Sequence, residues 1–169
     1  SNYSDIGMDH FALKSDSLYK ASETSKLHRN FMGYTHQHTE ILIGLGVSSI
    51  SDCATAFAQN KKTVEAYLKD INEGVFAIEK GHILTDMDIF IRQHILNLMC
   101  KNKSQFSGDI PLEIKERLMP ILEDNLIEIN GNEIRVTQLG KTYLRNISMA
   151  FDERLWQKQP ETKIFSSAI

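Results

Sequence analysis

Apolar residues along this chain recur at two spacings, and the spacings predict its elements. From Lys62 to Glu73, Val64, Tyr67, Leu68 and Ile71 fall at helical intervals, and Gly74 follows as a stop. Thr85-Asp-Met-Asp88 has a capping hydroxyl and early acids, which predicts a helix running to about Lys101. Its apolar face carries Met87, Phe90, Ile91, Ile95, Leu98 and Met99. Pro111 suits the first turn of a further helix, with Ile114, Leu118, Ile121 and Leu122 inward and a kink or break expected at Pro120. Thr137 caps a last helix expected to reach about Trp156, with Leu139, Tyr143, Ile147 and Phe151 four residues apart, and Pro160 ends regular structure.

Other stretches read as strands. In Leu126 to Val136, Ile127 and Ile129 alternate with Glu128, Ile134 and Val136 flank Arg135, and Asn130-Gly131 suits a tight hairpin turn. Ile41 to Ile50 is almost wholly apolar and carries Gly44 and Gly46. A continuous apolar strand implies burial on both faces, as in a parallel sheet or barrel, and its glycines imply close approach by a backbone or ligand. Toward the start, a brief strand is expected near Ile6, a polar helix from Ser15 or Asp16 to about Lys26, and a strand over Arg29 to Thr35. After Asp52 the character becomes helical.

Helix, helix, hairpin, helix over residues 85–156 is the pattern of a winged-helix-like module with a long closing helix. Residues 3–51 do not fit that module and read as the last strands of an incomplete α/β domain. The expected class is α+β without internal repeats, with residues 1–55 as the α/β remnant, residues 56–169 as the helical part, and a boundary near residues 53–60.

Composition narrows the function classes. Hydrophobic residues make up 41% and charged residues 24% of 169, ordinary for a globular protein, and the net charge of −3 sets up no field favouring nucleic acid or an anionic membrane. No apolar run approaches the ~18 residues of a membrane span. Ser1-Asn2 resembles the residue of a cleaved tag, and with no initiating Met the chain reads as an excised fragment. Cys53 and Cys100 form neither a disulfide framework nor a metal spacing, which fits a reducing cytoplasm.

Three local groupings carry candidate chemistry. His36, His38 and Glu40 would share one side of an extended segment, but loop histidines and a solvated carboxylate are the commoner reading, and no metal site is assigned. His28-Arg29-Asn30 before Phe31 could meet an anion, and Asp9-His10 could pair as acid and base, although each also reads as ordinary loop chemistry. In the candidate recognition helix, Glu113, Glu116, Glu123 and Asp124 outnumber Lys115 and Arg117, which disfavours DNA binding. No CxxxCxxC, P-loop or GxGxxG occurs.

Four segments, in order, resemble the C-terminal part of the oxygen-independent coproporphyrinogen III oxidases: Ile6-Gly-Met-Asp-His-Phe-Ala-Leu13; Leu27-His-Arg-Asn-Phe-Met-Gly-Tyr-Thr35; Leu45-Gly-Val-Ser-Ser-Ile-Ser51 with Phe57-Ala-Gln-Asn60; and Val136-Thr-Gln-Leu-Gly-Lys141 with Arg145-Asn-Ile-Ser-Met-Ala-Phe-Asp152. The resemblance implies a radical S-adenosylmethionine enzyme that converts two propionates of coproporphyrinogen III to vinyl groups, giving protoporphyrinogen IX. It implies an incomplete α/β barrel holding S-adenosylmethionine and a [4Fe–4S] cluster, under a mostly helical C-terminal domain. The cluster ligands are absent from this chain, so the isolated piece is expected to be inactive.

By family position, Phe31 and Met32 lie near the reacting centre and Ile50 contacts S-adenosylmethionine, with Gly44 and Gly46 on the same strand. The family usually has Phe-Gln-Gly-Tyr-Thr where this chain has Phe31-Met-Gly-Tyr-Thr35, so an amide is replaced by a thioether, a weak acceptor. Two alternatives remain: a radical S-adenosylmethionine haem chaperone, or a winged-helix module that binds a protein. A cytoplasmic location is expected, with no nucleic-acid partner. The Ile41–Val47 strand, cut from its barrel, is expected to pair with another copy or fold against the helical part.

Overall fold

The structure is a computed structural model that describes residues 2–157; the expected stop at Pro160 lies outside them. It is α+β, with helices among four small sheets whose strand pairings are all antiparallel among the described residues.

The first sheet is a hairpin of β1 (Tyr3–Gly7) and β2 (His10–Leu13), turned by Met8 and Asp9 in the left-handed region. The brief strand expected near Ile6 is therefore half of a hairpin. Helix α1 (Ser17–Glu23) starts where Asp16 accepts from the Leu18 N–H. The strand expected over 29–35 is itself a hairpin, β3 (His28–Asn30) and β4 (Gly33–Thr35). The Asn30 side chain accepts from the Met32 N–H at 2.9 Å, and Gly33 takes φ +135°, so two turn-forming residues fold the segment in half.

Residues 41–49 depart most from expectation. They form no strand beyond a single Leu42–Asp52 bridge, and Ile41, Ile43 and Leu45 are 66, 71 and 83% exposed. The glycines explain the path. A Cβ on Gly44 would come within 2.8 Å of the Ile50 carbonyl oxygen, and Gly46 sits at φ +93°. The segment is folded onto β5 (Ile50–Asp52) instead of lying between parallel neighbours.

The stretch after Asp52 is not helical at first. β5 pairs with β6 (Ala56–Asn60), which pairs with β7 (Ile78–Ile83). Helix α2 (Val64–Asn72) connects β6 to β7 and is capped by Thr63. Its predicted face is not a core face, since Val64, Leu68 and Ile71 are each about half exposed.

Helix α3 (Asp86–Lys101) begins with the predicted capping box: Asp88 N–H donates to Thr85 Oγ1 and Thr85 N–H to Asp88 Oδ2. It leads into β8 (Lys103–Gln105), helix α4 (Leu112–Glu123), β9 (Ile127–Asn130) and β10 (Glu133–Val136), with sheet order β8-β10-β9. α4 runs through Pro120 without the expected break. The hairpin turn is centred on Gly131-Asn132, one residue later than Asn130-Gly131, because Asn130 pairs with Glu133.

The long closing helix is broken into a 3₁₀ turn (Gly140–Tyr143), α5 (Leu144–Met149) and α6 (Glu153–Gln157). Phe151, wholly buried, turns the chain inward, and Asp152 restarts it by accepting from the Leu155 N–H. The main core gathers Leu98, Leu118, Ile127, Ile134, Leu144, Ile147 and Phe151. A smaller one joins Ala21 and Leu27 to Cys100 of α3, tying the N-terminal hairpins to the helical part.

Candidate functional site

The β3–β4 turn projects Phe31 and Met32 outward, 52 and 87% exposed. Phe31 meets Phe57 of β6 edge to face, with centroids 4.9 Å apart. Phe57 lies opposite Asp52 in the β5–β6 ladder. Arg92 of α3 places its guanidinium 4.9 Å from the Phe57 ring centre and binds both Asp52 oxygens, Nη1 to Oδ1 at 3.0 Å and Nη2 to Oδ2. Asp52 is buried, so a paired, two-pronged contact offsets its loss of water.

This array forms one wall of an open cleft of about 830 Å³, lined among others by Arg29, Phe31, Phe57, Arg92, Met99 and Arg154. A second cleft of about 670 Å³ holds His28, His36, His38, Glu40 and Cys100, and Asp52 and Arg92 line both. The ion pair, with Leu96, thus stands between them.

Arg29 lies 4.7 Å from the Tyr34 ring centre, and its buried Nη1 has no hydrogen-bond partner among the described residues. Tyr34 donates its hydroxyl to the Met99 carbonyl at 3.0 Å, and burial pushes its pKa up to about 12. At the far rim, His82 Nε2 lies 3.0 Å from Asp88 Oδ2 and 2.8 Å from Arg154 Nη2, which joins α6 to β7 and α3.

The other sequence candidates separate. His38 packs edge-on to His28 at 4.5 Å, whereas His36 Nδ1 lies 3.3 Å from Ser17 Oγ. Burial, followed by the proximity of His38 and Arg92, lowers the pKa of His28. Among the described residues no three His, Cys, Asp or Glu side chains form a group that could hold a metal ion. His10 Nδ1 lies 2.9 Å from the Met8 carbonyl oxygen, inside its own turn.

Ile50, Gly44 and Gly46 lie together. The Gly44 N–H donates to Ser51 Oγ and the Gly46 N–H to the Tyr67 hydroxyl, while Asn60 Nδ2 donates to both glycine carbonyls. These backbone groups are already engaged, so toward a nucleoside this locus offers van der Waals contact and the half-buried Ile50 side chain. A [4Fe–4S] cluster needs several thiolates, whereas Cys53 is exposed and Cys100 is buried in the smaller core. The described residues do not fit a cluster.

Sequence reasoning missed Arg92, Asp52 and Phe57 as a unit. Their separation of 40 residues carries no local pattern, and only the β5–β6 pairing brings them to α3.

No family model matches the chain. Oxygen-independent coproporphyrinogen III oxidase of Escherichia coli K12 is 37% identical over 168 aligned positions, covering 94% of this chain and 37% of that protein. The proteins of the same name from Synechocystis and Thermostichus vulcanus are each 36% identical over 178 positions, with 38 and 54% of their own lengths covered. Among solved structures, the coproporphyrinogen III oxidase of Escherichia coli, described as a radical SAM enzyme, superposes with a TM-score of 0.83 at 36% identity, covering 90% of this chain and 38% of that one. The chain spans a little over a third of the first of these relatives.

Proposed function

We propose, from the premise that this chain is homologous to the C-terminal portion of oxygen-independent coproporphyrinogen III oxidase, that it serves as that portion of such an enzyme. The whole protein would oxidatively decarboxylate two propionates of coproporphyrinogen III to give protoporphyrinogen IX in the cytoplasm. Agreement of sequence and fold along nearly all of this chain carries the reading: 94% of it aligns in sequence and 90% superposes.

Within that reading, S-adenosylmethionine supplies the hydrogen-abstracting chemistry when bound together with a [4Fe–4S] cluster, whose set of thiolate ligands the described residues do not provide. Ile50 would pack against the nucleoside, with Gly44 and Gly46 letting the backbone come close. Phe31, which lines the larger cleft, and Met32, beside it on the turn, would face the reacting part of the substrate. The thioether of Met32 cannot donate a hydrogen bond, so its contribution there is contact and exclusion of water.

Residues 85–156 are read as a winged-helix-like module that closes over the site, because a three-stranded sheet of order β8-β10-β9 packs with α3 and α4. Division into residues 1–55 and 56–169 belongs to the same proposal, with the β5–β6 hairpin tying the two parts across the boundary. Exposed Ile41, Ile43 and Leu45 would be covered by the rest of the enzyme, or by a second copy when this portion stands alone.

Anaerobic incubation of the whole protein with S-adenosylmethionine, a reductant and coproporphyrinogen III tests the assignment. Formation of protoporphyrinogen IX with release of carbon dioxide is expected. Tight haem binding without decarboxylation would replace the assignment with that of a haem chaperone.

A further inference from the structure

We propose that Arg92 is a positioning residue for Phe31, acting through Phe57, and that the Asp52–Arg92 pair fixes the wall on which the substrate ring system is aligned. The inference rests on the functional reading above for what Phe31 does, and on geometry alone for how Phe31 is held.

The contacts form one unbroken line. Asp52 is buried, and its Oδ1 also accepts from the Ala54 N–H at 3.1 Å, so the carboxylate is fixed to the turn that follows its strand. Arg92 bridges from α3 to that carboxylate with two parallel hydrogen bonds, which set the plane of the guanidinium as well as its position. That plane lies 4.9 Å from the Phe57 ring centre, and the edge-to-face contact with Phe31 follows at 4.9 Å. Phe31 stands on the turn between two three-residue strands and is half exposed, so β3 and β4 alone leave its ring free to turn. Contact with Phe57 restricts it, and Phe57 is restricted in turn by Arg92 and by its place in β6.

Why an arginine should stand here follows from the same geometry. A lysine could satisfy Asp52 as a point charge, but it has no flat face to lay on Phe57. A purely structural ion pair would need no ring beside it. Positioning matters because a displacement of about 1 Å at a reacting centre can cost on the order of 100-fold in rate.

The test uses the whole protein that carries this chain, with 4-fluorophenylalanine incorporated and the Phe31 fluorine resonance assigned by its loss in Phe31→Leu. Arg92→Met and Phe57→Leu are each expected to shift and broaden that resonance, and Arg92→Lys to move it in the same direction. Phe57→Leu keeps the Asp52–Arg92 pair, so it remains informative if Arg92→Met folds poorly. A Phe31 resonance left at its wild-type position and width in Phe57→Leu and in any folded Arg92 variant would overturn the inference, whether or not the enzyme turns over.

The second readout is the amount of S-adenosylmethionine cleaved per vinyl group formed. It is expected to rise about 10-fold or more in Phe57→Leu and Arg92→Met, with KM little changed and the double variant no worse than the poorer single. An unchanged ratio in both would overturn the positioning role. Wild-type protein that does not act on coproporphyrinogen III would instead overturn the functional reading, and the fluorine spectra would then decide the inference alone.

Discussion

His94 Nδ1 lies 2.7 Å from Ser104 Oγ, and both residues are buried where α3 meets β8. The imidazole also stacks on Phe106 with centroids 3.9 Å apart. Replacing one member of a buried polar pair strands the other, at a cost of roughly 1–3 kcal/mol. His94→Phe, which keeps an aromatic ring in the stack, and Ser104→Ala are therefore each expected to lower stability by about 1–3 kcal/mol. The double variant should cost less than the sum of the two, with a coupling of about 1 kcal/mol in urea unfolding. Strict additivity would mean that the hydrogen bond does not hold the two elements together.

The same burial predicts how stability depends on pH. His94 and His28 both have pKa values below the ordinary 6.5, chiefly because burial disfavours the charged ring. The unfolded chain then binds protons that the folded one refuses, so stability should decline as pH falls from about 6.5. A second decline belongs to Asp88. Its carboxyl is lowered from 3.8 to about 2, first by the Thr85 N–H and hydroxyl and then by His82, so its contribution should be lost as pH falls through that interval. Urea midpoints measured from pH 7.5 to 2.5 would show both limbs. His94→Phe should lessen the upper one, leaving the part due to His28, and Thr85→Ala should lessen the lower, leaving the part due to the Thr85 N–H.

How much of this was legible in the sequence depended on whether the signal was local. The capping box of α3 was readable from Thr85 and Asp88, since its parts lie within one turn. The β9–β10 hairpin was readable from alternation, although the register that moved its turn to Gly131-Asn132 is set by pairing. Asn30 and Gly33 did carry the signal for the β3–β4 turn, and the aromatic spacing across them masked it. Residues 41–49 misled because an apolar run reads as buried, whereas burial of Ile41, Ile43 and Leu45 depends on what lies against them. The closing helix misled at Phe151, where one buried ring outweighed the helical period. Of the site, Phe31 was placed through family resemblance, while Arg92 could be found only from tertiary contacts.

Gly140 and Gly131 are glycines for different reasons, and substitution should separate them. A Cβ at Gly140 would fall 1.8 Å from the Leu126 carbonyl oxygen and 3.0 Å from Val136 Cγ1, a clash with backbone that no rotamer relieves. Gly140→Ala is expected to destabilise by about 3 kcal/mol or to prevent folding. At Gly131 nothing among the described residues lies within 4 Å of an added Cβ, and the requirement is its φ of +60°. Gly131→Ala should cost about 1–2 kcal/mol, and Gly131→Asn less, because Asn tolerates that conformation. Thermal unfolding of the three variants would check the order.

The two thiols should differ sharply in reactivity. The nucleophile in alkylation is the thiolate, so both access and pKa control the rate. Cys53 is exposed beside the β5–β6 turn, its Sγ 3.5 Å from the Ala56 carbonyl oxygen. Cys100 is packed against Ala21 and Leu27, and burial pushes its pKa up to about 11. At pH 8 the unreactive thiol is then both shielded and about three decades short of half ionisation. Iodoacetamide followed by peptide mass spectrometry is expected to modify Cys53 within minutes and Cys100 only as the chain unfolds. The Cys100 rate should therefore rise through the urea transition while the Cys53 rate stays nearly flat. Equal labelling in the absence of urea would mean that α1 and α3 part in the native state, and that the smaller core does not hold the N-terminal hairpins to the helical part.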